Sequence, residues 1–225
     1  MLNRVLIAIG LAAAVGVFFW FEIGALILVF ACIILYASVD LVNGVKAFSK
    51  ESSTCPVVRF LALIMQILLG LCAILYLRFI SPETILFIVL TVTTADTFAY
   101  FSGTFVKWVN KRRPARITET LLYKPFPKIS ENKTFIGFMS GIIFGIGAGI
   151  IFAQALGVSS GVKLSILVTI TSMLGDLHES SVKRKLGLKD FGNYLGKHGC
   201  ISSRIDSHTL AAIAVVVYTL VFKPF

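Results

Sequence analysis

The chain has 225 residues, of which 57% are hydrophobic and 14% are charged, and its formal net charge is +10 at pH 7. Soluble domains have about 45–50% apolar and about 25% charged residues, and a chain of this size cannot bury so large an apolar excess in one core. The composition excludes an ordinary soluble enzyme, a disordered chain, a collagen-like fibre and a disulfide scaffold. The four cysteines include no CxxC pair, which argues against a zinc site and a structural disulfide.

Seven apolar segments are candidate membrane-spanning helices, because a hydrocarbon core of about 30 Å needs about 20 apolar residues per helix. They are residues 5–21, 25–42, 60–80, 84–101, 135–155, 162–177 and 210–222. The first resembles a signal peptide in outline, but it lacks a convincing cleavage site, so we interpret it as a retained helix. The sixth is the weakest, since it is short and contains Asp176. The sequence predicts an all-α, polytopic membrane helix bundle with about seven transmembrane helices.

The Lys and Arg residues predict the orientation of this bundle, because cytoplasmic loops carry an excess of both. The basic connections are residues 43–59, 102–134 and 178–209, and the connections between them carry almost no Lys or Arg. With seven spans, the basic connections share the cytoplasmic side with the N-terminus. We expect N-terminal anchor helices in 1–83 and a catalytic membrane domain in 84–225, with two basic cytosolic loops. Such loops lie beside anionic lipid, so no nucleic-acid partner is expected.

Acidic residues stand in or against the predicted spans at two places. Asp96 lies near the cytoplasmic end of the fourth span, with Tyr100 one helical turn on. Asp176, Glu179 and Lys183 have the spacing i, i+3, i+7, which places them on one helix face. A carboxylate in a membrane helix is costly and by default indicates a functional site, and two acids beside basic residues could hold Mg²⁺ against phosphate. An interfacial Asp96 and a plain Glu179–Lys183 ion pair are the alternatives.

Residues suited to phosphate binding occur in both long connections. Lys133 and Thr134 directly precede the fifth span, where the free N–H groups of a helix N-terminus would favour an anion. An N-cap beside a cytosolic lysine explains the same pair, and both interpretations stay open. His198 lies close to glycines, where backbone can approach a phosphate. These features suggest chemistry on a phosphorylated lipid with a charged cytosolic co-substrate, which spacing alone does not identify.

A long motif near the C-terminus reads SVKR from Ser181, then KDFG, LGKHG and finally RIDS, which ends at Ser207. It resembles the C-terminal motif of the phosphatidate cytidylyltransferase (CDP-diacylglycerol synthase) family. The pieces DTFAY at 96–100 and PKIS at 127–130, followed by Lys-Thr, also resemble the family and come in its order. The resemblance covers about residues 84–220, and the chain is identified as a compact, divergent member.

The departures from the family pattern fall inside these motifs. Cys200 and Ser203 stand where the family has glycine and aspartate, and Glu131 and Ile136 stand where it has proline and glutamate. Thr104 stands where a basic residue is common. Two acids of the family's catalytic surface are therefore missing.

The resemblance implies a nucleotidyltransferase of phospholipid biosynthesis, which transfers a cytidylyl group from CTP to phosphatidate and gives CDP-diacylglycerol and pyrophosphate. The lipid phosphate is the nucleophile, so no Ser or Cys nucleophile is needed. The implied cofactor is Mg²⁺, with a second cation left open. The implied partners are CTP, phosphatidate and membrane lipids, and a homodimer is left open. We expect an integral protein of the bacterial inner membrane with its active face in the cytoplasm.

The resemblance also implies a set of site residues. The catalytic acids would be Asp96, Asp176, Glu179 and Asp206, of which Asp176 and Asp206 would bind the metal. The substrate-binding residues would be Ser130, Lys133, Thr134, Ser181, Lys183, Arg184, Lys189, Asp190, His198, Gly199 and Arg204. The competing interpretations are a non-catalytic member that binds anionic lipid or nucleotide, a cytidylyltransferase for another lipid phosphate, and a transporter.

Overall fold

The computed structural model describes residues 36–48, 54–112, 116–127, 129–130, 133–192 and 202–222, together with positions 24 and 31. All regular secondary structure in these ranges is helical, which confirms the all-α prediction. A π-helical segment, Tyr36–Leu41, leads directly into α1. The α-helices are α1 (Val42–Phe48), α2 (Thr54–Ile80), α3 (Pro82–Arg112), α4 (Arg116–Leu121), α5 (Phe135–Leu156), α6 (Gly161–Lys185) and α7 (Ser202–Phe222).

Four helices in the described ranges are long and apolar enough to cross a membrane, by length and composition. They are α2, α3, α5 and α7. The chain is therefore an integral membrane protein. The predicted span 5–21 and most of 25–42 lie outside the described residues, and α6, which contains the sixth predicted span, is not among the four. The count of seven, the side of the N-terminus and the division at residue 83 stay predictions.

Several helices continue beyond the apolar segments that marked them. Helix α3 extends to Arg112 and α6 to Lys185, and α7 begins at Ser202. The connections are therefore shorter than the predicted 102–134 and 178–209. The 31 residues of α3 are about 46 Å long at about 1.5 Å per residue, against a hydrocarbon core of about 30 Å. Hydropathy marks the part of a helix that lies in lipid, whereas the helix itself continues into water.

Local signals set the helix ends that position the site. Thr134 is the N-cap of α5, and its hydroxyl accepts a hydrogen bond from the Gly137 N–H at 3.2 Å. Gly157 ends α5 with a φ of 69°, a left-handed conformation that glycine adopts without strain. The connection to α6 is short, so α5 and α6 are antiparallel neighbours. This hairpin brings the start of α5 beside the end of α6, where Asp176 and Glu179 lie.

A stripe of small residues lets α5 approach its neighbours closely. Gly137, Gly141, Gly145 and Gly149 recur every four residues, and all are buried. A Cβ atom on Gly145 would lie 2.8 Å from the Ala95 Cβ of α3 and 2.9 Å from a methyl group of α6. Small residues at this spacing are typical of packed membrane helices, because they let backbones approach. The stripe, which the sequence motifs did not reveal, lets both α3 and α6 pack against the same face of α5.

Glycine residues also let α7 pack closely against α2 and α6. Gly175 of α6 faces the backbone of Asp206, and Gly70 of α2 faces Thr209 one turn further along α7. The apolar core around this contact includes the fully buried Leu63 and Val215. The first turn of α7 is thereby held between α2 and α6, and it carries Ser203 and Asp206 into the candidate site.

Candidate active site

Three carboxylates meet where α6 ends and α7 begins. Glu179 and Asp206 are buried, and their carboxyl groups are within hydrogen-bonding reach of each other. Asp176, one turn before Glu179, is 40% exposed and close enough to interact electrostatically with Asp206. Two carboxylates that face each other repel, so this arrangement needs a shared proton or a nearby cation. The structure brings together three of the four predicted catalytic acids.

Lys183 is the cation fixed inside this cluster. Its side chain is only 9% exposed, and Nζ lies 3.1 Å from Glu179 Oε2 and 3.8 Å from Asp190 Oδ1. The Glu179–Lys183 ion pair left open by the sequence therefore exists. It is not a plain surface pair, because Glu179 also contacts Asp206. Lys183 and Asp190, both predicted substrate-binding residues, contact each other here, and their substrate roles stay predictions.

Ser203 also contacts Lys183. Lys183 Nζ donates a hydrogen bond to the Ser203 hydroxyl at 3.0 Å, and that hydroxyl donates to Glu179 Oε1 at 3.2 Å. The serine thus links the lysine to the glutamate at the position where the family pattern has an aspartate. A carboxylate at residue 203 would face Lys183 on one side and Glu179 on the other.

Lys133 supplies a second cation on the more exposed side of the cluster. Its Nζ lies 2.6 Å from Asp176 Oδ2, and the lysine side chain is 24% exposed. The adjacent Thr134 is buried and caps α5, so the structure favours the N-cap interpretation for this threonine. Ser130 lies nearby in the sequence, half-buried in a turn in which its N–H donates to the Phe126 carbonyl at 2.8 Å.

The remaining predicted site residues make other contacts, are exposed, or lie outside the described residues. The Ser181 hydroxyl accepts a hydrogen bond from Arg59 at 3.3 Å, and Arg184 donates to the Leu188 carbonyl at 2.9 Å. Asp96 and Lys189 are exposed. Outside the described residues lie His198, Gly199 and the side chain of Arg204. The substrate roles assigned to all these residues stay predictions.

Residues from the predicted anchor reach the same place, and the sequence analysis missed them. The Asp40 carboxylate accepts a hydrogen bond from the Ser202 N–H at 3.0 Å. The Gln66 amide donates to the Asp206 carbonyl at 3.1 Å. A lone Gln inside the apolar run LALIMQILLG was the signal available, because a polar residue within a span needs a partner.

Gln66 also contacts His178, which lies one residue beyond the sixth predicted span. Gln66 Oε1 and His178 Nδ1 are 2.7 Å apart. Burial lowers the pKa of His178, and the Arg59 guanidinium lowers it further. The Nδ1 of His178 donates this hydrogen bond, because the amide oxygen can only accept.

The carboxyl cluster supplies some, but not all, of the ligands that a hard cation needs. In the part of the chain that the structure describes, no three carboxylate, imidazole or thiol groups converge into a complete metal site. The facing carboxyls of Glu179 and Asp206, with the more exposed Asp176 beside them, nevertheless offer the oxygen ligands that Mg²⁺ prefers. Mg²⁺ keeps several waters and takes other ligands from substrate phosphates, so one or two protein carboxylates suffice.

Comparison with known proteins identifies the family of the chain. The Cytidylyltransferase family matches residues 2–222. The phosphatidate cytidylyltransferase of Aquifex aeolicus is 33% identical over 135 residues, which are 59% of this chain and 46% of that protein. That of Brucella abortus is 31% identical over 142 residues, 62% of this chain and 47% of that protein.

The phosphatidate cytidylyltransferase of Mycobacterium tuberculosis is 42% identical over 98 residues, which are 42% of this chain and 30% of that protein. The matched part of this chain thus spans less than half the length of each of these three relatives. The family match itself covers nearly the whole chain, including the N-terminal third. The chain belongs to the cytidylyltransferase family.

Proposed function

We propose that the chain transfers the cytidylyl group of CTP to phosphatidate, giving CDP-diacylglycerol and pyrophosphate. The observation that supports this function best is the cluster of three carboxylates and two lysines at one end of the membrane bundle. Such a cluster suits a reaction between two phosphate esters, because catalysis then consists mainly of positioning and neutralising charge. The names of the relatives point to the same reaction.

The reaction needs no nucleophile from the protein. An oxygen of the lipid phosphate attacks the α-phosphorus of CTP, and a new P–O bond forms. The bond from the α-phosphorus to the bridging oxygen breaks, and pyrophosphate leaves with the electron pair. The phosphate oxygen is already ionised at neutral pH, so no general base is required.

The two lysines would have different tasks in this reaction. Lys183 is buried and held by Glu179 and Ser203, so it provides a fixed positive charge. Lys133 is more exposed and pairs only with Asp176 among the ion pairs of the described residues. A phosphate that binds Lys133 would release Asp176 to act as a cation ligand. Lys133 is therefore the residue that we assign to the incoming phosphates.

The cofactor that we propose is Mg²⁺, held by Asp176 and Asp206, and the question of a second cation stays open. Bound there, the cation would neutralise charge on the phosphates and on the departing pyrophosphate. Glu179 faces Asp206 and is itself held by Lys183 and Ser203. These contacts hold Glu179 in place, and Glu179 would in turn orient the Asp206 carboxyl.

We further propose that the site faces the cytoplasm from a bacterial inner membrane. The start of α5 and the ends of α3 and α6 lie at the same end of the bundle, and basic residues gather there. Cytoplasmic ends of membrane proteins carry such an excess. CTP would reach the cluster from water, whereas phosphatidate would enter sideways from the bilayer.

The full chain, purified in lipid nanodiscs with labelled CTP, Mg²⁺ and phosphatidate, tests this function. CDP-diacylglycerol should form with wild type and not with Asp176→Asn. Parallel reactions with an isoprenoid phosphate or an ether-lipid phosphate test the other lipid substrates. A protein that binds CTP but forms no product with any of these lipids would be the non-catalytic member.

A further inference from the structure

Two buried polar side chains outside the predicted catalytic part hold the first turn of α7. Asp40 lies in the π-helical segment and is 1% exposed, and Gln66 lies in the middle of α2 and is 7% exposed. Asp40 Oδ2 accepts the Ser202 N–H at 3.0 Å, and Gln66 Nε2 donates to the Asp206 carbonyl at 3.1 Å. The two contacts lie at either end of one helical turn.

The Asp40 contact serves as a helix cap supplied from a distant part of the chain. The first N–H groups of a helix have no partner within the helix. Ser202 opens α7, and its N–H is satisfied by a carboxylate 162 residues away in the sequence. A negative charge at this end also interacts favourably with the helix dipole. The start of α7 is thereby fixed to the N-terminal third of the chain.

The Gln66 amide can be oriented in only one way. A backbone carbonyl only accepts hydrogen bonds, so Nε2 must face Asp206, which leaves Oε1 for the Nδ1–H of His178 at 2.7 Å. Gln66 thus joins α2 to α6 and α7 at once. Both of its partners adjoin the carboxyl cluster, since His178 precedes Glu179 and Asp206 belongs to it.

We propose that Asp40 and Gln66 are positioning residues of the proposed cytidylyl transfer, because they hold the first turn of α7 where the Asp206 carboxyl faces Glu179. This inference rests on the proposed function. Both residues are buried and each makes a hydrogen bond to the backbone of α7, so both can act on the site through α7. Polar contacts between membrane helices also stabilise packing in general, so the test has to separate positioning from stability.

The test compares Gln66→Leu with Met65→Leu in the purified full chain. Met65 is the neighbouring residue on α2 and is 55% exposed, so its replacement serves as the matched control. The readouts are hydrogen exchange of the amides of residues 202–209, kcat and KM, and the Mg²⁺ dependence of CTP binding by calorimetry. For Gln66→Leu we expect hydrogen exchange in this turn to become about tenfold faster. We also expect the Mg²⁺ concentration for half-maximal CTP binding to rise about tenfold. Tenfold is the ratio expected for the loss of one buried hydrogen bond.

A second pair of variants keeps the test informative if Gln66→Leu fails to fold. Asp40→Asn retains an oxygen that can accept the Ser202 N–H, whereas Asp40→Ala removes it. We expect Asp40→Asn to keep kcat and the hydrogen exchange of the first α7 turn within about threefold of wild type. Asp40→Ala should lower kcat and speed this exchange, each by about tenfold or more. Rescue by the asparagine would show that the hydrogen bond, rather than bulk packing, is what matters.

Three results would overturn the positioning roles. The first is faster hydrogen exchange in the α7 turn with unchanged kinetics and Mg²⁺ dependence. This result would indicate a purely structural role. The second is altered kinetics with unchanged exchange, and the third is no change in either. If wild type forms no CDP-diacylglycerol, the proposed function is wrong instead. Hydrogen exchange in the α7 turn and the Mg²⁺ dependence of CTP binding would then still decide the roles of Asp40 and Gln66.

Discussion

The backbone carbonyl oxygen of Asp206 lies 2.6 Å from the position that a Cβ atom would occupy on Gly175. No real Cβ atom tolerates that distance to a backbone atom, so only glycine at residue 175 lets α7 lie this close to α6. Glu179 is one turn along α6 from Gly175, on the same face. The close approach therefore brings the carboxyl groups of Asp206 and Glu179 within reach of each other.

Gly175→Ala should consequently separate the two carboxyls. The added methyl group must push α7 away, and such overpacking costs about 1–3 kcal/mol. We expect a lower Tm and a loss of activity of at least about tenfold. Gly147→Ala is the control, since no described residue lies within 4 Å of a Cβ atom there. Equal activity of the two variants would show that the α6–α7 distance does not matter for the site.

Asp176→Asn should abolish turnover while the protein still folds. Asp176 is 40% exposed and its ion pair with Lys133 is open to solvent, so its loss should change the free energy of unfolding by less than about 1 kcal/mol. Removal of a charged metal ligand, by contrast, removes several kcal/mol of charge stabilisation in the transition state. Initial rates and thermal melts of the same preparation measure both. Near-normal activity would contradict the metal assignment.

Lys133→Met should separate ion pairing from phosphate binding. If Lys133 only pairs with Asp176, the variant should lose little activity, because a solvent-exposed pair is worth about 0–1 kcal/mol. We expect instead that KM for CTP rises at least about tenfold with an almost unchanged Tm, because a phosphate ligand is lost. Lys163→Met, on the exposed first turn of α6, is the control. An unchanged KM for both substrates would exclude Lys133 as a phosphate ligand.

Ser203→Asp should lower the Mg²⁺ requirement. The new carboxylate would stand beside Glu179 and Lys183, within the cluster that contains Asp206. We expect the Mg²⁺ concentration for half-maximal activity to fall about tenfold, which corresponds to about 1.4 kcal/mol. Without Mg²⁺ the same variant should melt at a lower temperature, because like charges are crowded. Ser203→Ala removes the hydroxyl without adding charge and serves as the control.

An active Ser203→Asp variant can also decide between the enzyme and the non-catalytic alternative. If wild type is inactive and Ser203→Asp combined with Ile136→Glu restores turnover, the natural chain is a non-catalytic member. If wild type is active and Ser203→Asp leaves the Mg²⁺ dependence unchanged, residue 203 does not adjoin the metal. The latter result would remove the assignment of the family's acid cluster to the first turn of α7.

Cysteine labelling should report opposite sides of the membrane for the two ends of α5. Lys124→Cys and Ser159→Cys place exposed thiols in the connections before and after this helix. In a background whose four native cysteines are replaced by serine, an impermeant reagent should label residue 159 in intact cells. Residue 124 should react only after the membrane is opened. Labelling of residue 124 from outside would reverse the proposed orientation.

The sequence alone determined the properties that depend on near neighbours in the chain. Long apolar runs predicted membrane helices, because lipid requires backbone hydrogen bonds to be satisfied within a segment. The spacing of Asp176, Glu179 and Lys183 placed them on one face, since a helix has a fixed period. Even the Glu179–Lys183 ion pair was named in advance, although its link to Asp206 was not. The sequence did not predict how far the helices extend into water, because hydropathy reports lipid contact rather than helicity.

Only the tertiary structure decided which distant side chains meet. Ser202 and Asp40 are 162 residues apart in the sequence, and Gln66 and Asp206 are 140 apart, so no local period relates them. They meet because Gly70 and Gly175 let α7 pack tightly between α2 and α6. The position of a glycine in the sequence does not show which helix backbone will pack against it. The partners of Asp206, and with them the geometry of the candidate site, are therefore set by helix packing.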